Sequence, residues 1–269
     1  MIAALHIQTG LRGNSTYLKN AFCTPPFKVA NITEDKKDHT LQLMLMSSSP
    51  GILDEDEYTM KIELAENNSL HLHTQSYQRL FNMKKGATQR MDVSMQPGSS
   101  FCFLPHPSVP HEKAVFTTRN HIHLSTGCRL VWGEVLTCGR KGNGEVFLFS
   151  HYHSMTDVFL GQKLVLRENM LITPSSVDIT ALGLWEGFTH QASLIYLDGH
   201  PVTEEILRQL NDWLSTQPGI IYGITAAPVS GLVIRLLGYK AEQLFNCLKR
   251  LAQLLMPAVN TSKPIAYAH

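Results

Sequence analysis

The stretch 49–64, SPGILDEDEYTMKIEL, decides the fold class. Pro50 and Gly51 mark a turn, because proline presets one backbone angle and glycine tolerates the positive φ that other residues resist. Four carboxylates follow, on Asp54, Glu55, Asp56 and Glu57. Tyr58, Met60, Ile62 and Leu64 then alternate with Thr59, Lys61 and Glu63, and at a period of two one set faces inward and the other outward. The stretch is a half-buried strand fed by an acidic mouth. On residue type alone, such acids stay solvated and keep a sheet edge from pairing with other chains.

The same design recurs along the chain, predicting strands at 3–8, 41–47, 58–64, 69–74, 91–95, 100–104, 114–118, 120–124, 130–138, 145–153, 162–167 and 191–197. Residues 14–26 suit a connecting arm, and 34–39, EDKKDH, an exposed loop. This density predicts a mainly β fold: many short, mostly antiparallel strands in a layered or solenoid-like β body over residues 1–200. Beyond residue 200 the period lengthens. Ile206, Leu207, Leu210, Trp213 and Leu214 share one helical face, predicting a helix over 203–216. Two strands follow around Ala227-Pro228, then a second helix with Leu244, Phe245, Leu248, Leu251 and Leu255 on its inner face, closed by Pro257. Residues 201–258 are thus expected to form a small α+β layer with two helices, packed on the body as one compact unit, and 259–269 a tail.

At 269 residues the chain can bury a core without staples. Its 23 Lys and Arg against 22 Asp and Glu leave a net charge of +1, which gives no field for nucleic acid or a membrane surface. Five cysteines, Cys23, Cys102, Cys128, Cys138 and Cys247, are widely spaced with no CxxC pair. They suit reduced thiols in a cytoplasm and argue against a structural zinc site. No run of ~18 apolar residues could span a bilayer, so a soluble, cytoplasmic protein is expected.

A nucleophilic hydrolase would often advertise a G-x-S-x-G elbow, and none occurs. GRKGNG, 139–144, lacks the GK[ST] ending of a phosphate loop and leads into a predicted strand, so Gly139 and Arg140 belong to a hairpin turn, with Glu145 in reach of Arg140. Thirteen histidines include three H-x-H pairs, His71 with His73, His121 with His123, and His151 with His153. Within a strand, i and i+2 face the same way, so His71 and His73, or His151 and His153, could form a partial site for nickel or zinc. Two ligands alone bind weakly, which suits transit better than storage; the plainer account is ordinary amphipathic strand residues. A β-rich hydrolase with a hidden histidine–carboxylate metal site would need a third convergent ligand and an open position.

Six stretches together, TPPFKV (24–29), SPGILDEDEY (49–58), LHTQSYQRLFNM (72–83), FCFLPHPSVPHEKAVF (101–116), LVWGEVLTCGRKGNGEVF (130–147) and LVLRE (164–168), resemble the urease accessory protein UreD family, also called UreH, over most of the chain. The resemblance implies a non-enzymatic, largely β scaffold or chaperone that binds the accessory protein UreF, through it the GTPase UreG, and the urease apoprotein subunits. It implies a conduit for nickel into the urease metallocentre, with no tightly bound cofactor and only transient nickel(II). Carried over by position, Asp56 follows the SPG-type turn in the context E-D-E where relatives show G-D-R or similar, which leaves Asp54 as the competing alignment. Glu134 follows Trp132 by two, Glu145 follows the Gly-Arg turn, and Glu168 ends LVLRE. These carboxylates would line an internal polar passage, because a divalent ion crossing a protein must exchange its water shell for oxygens. Asp54 and Asp56 share the inward parity of Tyr58 and Met60 if the strand extends back that far. The alternative within the resemblance is an interaction adaptor of the same complex without direct nickel transport.

Overall fold

The computed structural model describes residues 1–35 and 38–256. Its first strands are β1 (Ile2–Arg12), β2 (Ser15–Cys23), β3 (Phe27–Asn31), β4 (Leu41–Ser47), β5 (Glu57–Leu64) and β6 (Ser69–Thr74). Then come β7 (Gln78–Leu80), β8 (Ala87–Met95), β9 (Ser100–Phe103), β10 (Ser108–Pro110), β11 (Val115–Leu124) and β12 (Arg129–Thr137). The series closes with β13 (His151–Leu160), β14 (Lys163–Ile172), β15 (His190–Leu197), α1 (Glu204–Ser215), β16 (Ile221–Ala226), β17 (Gly231–Gly238) and α2 (Ala241–Leu255).

These strands form two facing sheets. A seven-stranded sheet has the order β14-β13-β11-β8-β5-β1-β2, and a ten-stranded sheet runs β16-β17-β15-β12-β9-β6-β4-β3, with β7 and β10 as its remaining two strands. From β4 to β13 the chain winds back and forth between the two sheets, and each strand lands parallel to its predecessor in the same sheet: β5, β8, β11 and β13 in one, β4, β6, β9 and β12 in the other. The body is a two-sheet solenoid. Antiparallel pairs occur at its margins, where β2 returns on β1, β14 on β13, β3 on β4, and β15 and β17 extend beyond β12.

The mainly β, solenoid-like expectation therefore holds, but the mostly antiparallel pairing does not. Period-two alternation reports which face is buried, not the direction of the neighbouring strand, and the short turns carry the chain across to the other sheet instead of back along the same one. GRKGNG is accordingly no hairpin: it holds a short 3-10 turn, Lys141–Asn143, in the connection from β12 to β13. The expected arm 14–26 is largely the edge strand β2. The expected strand 145–153 starts only at His151 and continues to Leu160, so Phe147 and Phe149 precede it and share no strand face with His151. Pro257 and the tail 259–269 lie outside the described residues, as do two lysines of the 34–39 loop.

The alternation in β5 holds: Tyr58, Met60, Ile62 and Leu64 are buried and Glu57, Thr59 and Lys61 exposed. In-register pairing aligns Ile7, Ile62, Val93, Ile122 and Val158 across five strands, and each is wholly buried. Burial of such side chains stabilises by about 1.5–3 kcal/mol apiece. The two helices agree with expectation, α1 starting from Thr203, whose side chain accepts the Ile206 amide. Leu244, Phe245, Leu248 and Leu251 of α2 are buried where the helix crosses β12, β15 and β17 on the outer face of the ten-stranded sheet.

Gly51 approaches β7 so closely that a Cβ there would lie 2.4 Å from the Arg79 carbonyl oxygen, whereas one at Gly142 would meet nothing within 4 Å. Gly51→Ala is expected to cost about 1–3 kcal/mol and Gly142→Ala less than about 0.5 kcal/mol. Urea unfolding of the two variants beside the parent protein checks the contrast.

Candidate functional site

The ten-stranded sheet is breached at one level. β6 stops at Thr74 and its line resumes as β7 at Gln78; β9 stops at Phe103 and resumes as β10 at Ser108; β4 stops at Ser47, and beyond it Ile52 bridges Leu80. The interrupting segments contain Pro50-Gly51, Gln75-Ser76 and Pro105-His106-Pro107, and proline has no N–H to offer a ladder. β12 runs straight past the gap, paired with β9 over Arg129–Trp132 and with β10 at Leu136. Between those contacts Gly133, Glu134 and Val135 border a window.

Behind the window lies a cavity of about 150 Å³, reached past Gly51, Tyr77 and His106 and lined deeper in by residues of both inner faces. Such a volume holds several water molecules. Tyr58, Gln89, Thr118 and Ser154 pair in one register level across β5, β8, β11 and β13, and all four line it. At the next level Asn120, Thr156 and Glu168 align across β11, β13 and β14. Asn120 donates to the Thr156 hydroxyl at 3.0 Å, and the buried Thr118 Oγ1 has no hydrogen-bond partner among the described residues.

Glu134 enters this polar layer from β12. Its carboxylate accepts the Tyr152 hydroxyl at 2.5 Å and the Ser154 hydroxyl at 2.9 Å, and no cation pairs with it among the described residues. Burial pushes the Glu134 carboxyl above its ordinary range against the opposing pull of both hydroxyls, and the Glu168 charge adds to the rise. Tyr152 is pushed well up by burial and by Glu134. Glu168 forms a salt bridge with Arg235 of β17 at 2.6 Å, linking the outer strand of one sheet to the other.

The remaining sequence candidates scatter. Leu53 to Asp56 is a turn, closed by the Asp56 amide on the Leu53 carbonyl at 3.2 Å with Glu55 at φ +63°, so the strand does not extend back and the shared parity of Asp54 with Asp56 is lost. Asp54 accepts the Lys85 and Gly86 amides at 2.9 and 2.8 Å, and the Gly86 contact foremost holds its carboxyl below the usual range. Asp56 is buried and accepts the Leu53 amide, the Met1 ammonium and the Tyr58 hydroxyl at 2.8, 2.8 and 3.1 Å. Tyr58, pushed up to about 12 by burial and by Asp56, stands between that acid and the cavity it lines. Glu145 is claimed by Arg140, which holds its carboxyl low, and by the Glu112 amide at 3.1 Å; it does not line the cavity.

His71 and His73 lie on the outer face of the ten-stranded sheet, opposite Leu70 and Leu72, with ring centroids 6.1 Å apart. Burial pushes His71 down to about 3, and its Nε2 has no hydrogen-bond partner among the described residues. His151 and His153 lie on the outer face of the seven-stranded sheet, His153 paired with Asn169 at 2.8 Å. Among the described residues no three His, Cys, Asp or Glu side chains converge as a metal site. Sequence reading missed the hydroxyl and amide lining, Thr118, Asn120, Tyr152 and Ser154. The signal was present: polar residues recur at i and i+2 on the inward parity of β11 and β13.

A family model, the UreD urease accessory protein, matches residues 1–267. The chain belongs to the UreD family. A urease accessory protein UreD of Flavobacterium johnsoniae is 44% identical over 95% of this chain and 92% of its own length. One from Acetivibrio thermocellus is 29% identical over 93% of this chain and 96% of its own, and one from Haemophilus influenzae 32% over 95% and 99%. UreD proteins are maturation factors, not catalysts, which gives this chain a role in urease maturation and an association with its machinery. None of its described helices is long and apolar enough to cross a membrane.

Because the folded Glu134 carboxyl lies above its ordinary value of 4.5, the native state keeps a proton that the unfolded chain releases first as pH rises. Stability from this group is present in acid and lost as pH climbs through the raised value. Glu134→Gln, which never ionises, is expected to gain stability relative to the parent protein between pH 4.5 and pH 7. Urea titrations of both proteins at the two pH values check the sign.

Proposed function

We propose that this UreD acts in the cytoplasm as a scaffold and chaperone that, with UreF and the GTPase UreG, binds apo-urease and passes nickel(II) through the inter-sheet cavity toward the urease metallocentre. Nickel is cargo here, bound transiently and not retained. The observation that carries the reading is Glu134: a half-buried carboxylate with hydroxyl donors, no cation partner among the described residues, and a cavity that opens through the window. A carboxylate so placed is costly when empty and favours any divalent ion that enters. Hydroxyl and amide oxygens from Thr118, Asn120 and Ser154 can replace part of the ion's water shell without closing a tight site.

Glu168, which does not line the cavity but whose charge acts on Glu134, is the next carboxylate beyond it, with Arg235 holding it until a cation competes. Asp56 stands behind Tyr58 as a second acid close to the cavity. Asp54 and Glu145, each engaged away from the cavity, are left off the path. Outward-facing His71, His73, His151 and His153 are left off as well.

Glu134→Gln and Glu168→Ala are expected to co-purify with UreF, UreG and apo-urease at parent levels while lowering nickel-dependent urease activation by roughly tenfold, equivalent to ~1.4 kcal/mol. Full activation by both variants at matched protein levels would leave the adaptor without nickel transport as the better account.

A further inference from the structure

At the rim of the window sits His106. It lies between Pro105 and Pro107 in the segment that interrupts the β9–β10 line, so its backbone is held away from the ladder and its ring is free to border the cavity. Thr74, at the end of the neighbouring strand, fixes it twice: Thr74 Oγ1 accepts the His106 amide at 2.9 Å and lies 2.9 Å from the ring Nδ1. The ring packs against Phe245 of α2 at 4.6 Å between centroids and against Tyr77 at 6.0 Å. Nε2 has no protein partner among the described residues.

The surroundings favour the neutral imidazole. Burial foremost, then Lys249, holds His106 below its ordinary value, against an opposing pull from Glu242. Lys249 lies over the far ring, Phe245, at 4.5 Å, and Glu242 accepts the Tyr77 hydroxyl at 3.0 Å. In the tautomer that donates Nδ1–H to Thr74, a neutral imidazole presents Nε2 as a lone pair, which is how metal-binding histidines are normally oriented.

We infer that His106 is the port ligand of the passage: its Nε2 takes a borderline divalent cation at the window before the ion reaches Glu134. This rests on the passage reading above. Imidazole nitrogen favours nickel, copper and zinc, whereas magnesium and calcium prefer oxygen ligands and hold their water. A single nitrogen ligand at the mouth therefore selects among cations without trapping them, and the oxygen-lined interior alone would not.

His106→Gln retains a side chain able to bond Thr74 but removes the imidazole. In the complete activation complex, assayed with millimolar Mg²⁺, this variant is expected to raise the nickel concentration for half-maximal urease activation at least threefold. In the full-length protein alone, sub-stoichiometric Ni²⁺ should broaden one set of histidine ring NMR signals first, and those signals should be the ones missing from His106→Gln. An unchanged half-maximal nickel concentration, or first broadening at another histidine, would overturn the inference. Glu134→Gln run in parallel separates the failures: if it alone is impaired, the passage stands without His106 as its port, and if it too behaves as the parent protein, the passage reading falls as well.

Discussion

In-register parallel pairing between successive turns places residues of one inward parity from five or six strands in a single interior layer. Each layer must therefore be chemically consistent, because the residues in it have only one another and the facing sheet as neighbours. The level of Ile7, Ile62, Val93, Ile122 and Val158 is apolar throughout. One step along the strands the level begins with Leu5, Met60 and Met91 and ends with Asn120, Thr156 and Glu168. The next holds Tyr58, Gln89, Thr118 and Ser154. Apolar layers carry the stability, and the polar ones, confined mainly to β11, β13 and β14, are tolerated because the hydroxyls and amides largely satisfy each other.

The breach in the ten-stranded sheet belongs to the same arrangement. Three adjacent lines are interrupted at one level by turn-forming and proline-rich segments, and the gap falls opposite the polar layers, not the apolar ones. Glu134 is consequently the acid whose charge faces the cavity with hydroxyl donors alone. The other candidate acids are compensated: Asp54 by two amides, Asp56 by an amide, an ammonium and a phenol, Glu145 and Glu168 by arginines. A carboxylate held by backbone amides caps a turn. One held by hydroxyls beside a cavity, and raised by desolvation, keeps its proton to higher pH than an exposed carboxylate.

Strand by strand, much of the fold was legible in the sequence. The alternation of Tyr58 to Leu64, the helical face of Leu210 and Leu214, and the second amphipathic helix each report burial through side-chain spacing alone, and the structure agrees. The carboxylates carried over from the family resemblance were legible as residues but not as a set. Asp54 and Asp56 looked equivalent by parity until the turn at Glu55 separated them.

What the sequence by itself determined is the β class, the facing of most strands, the two helices and family membership, because period and local turn chemistry act over a few residues. Tertiary structure alone decided that successive strands run parallel across two sheets, that SPGILDEDEY ends in a capped turn and not a longer strand, and that Glu134, Tyr152, Ser154 and Thr118 meet behind a window. Those residues lie on three different strands, and their meeting depends on register between turns of the solenoid, which no local pattern encodes.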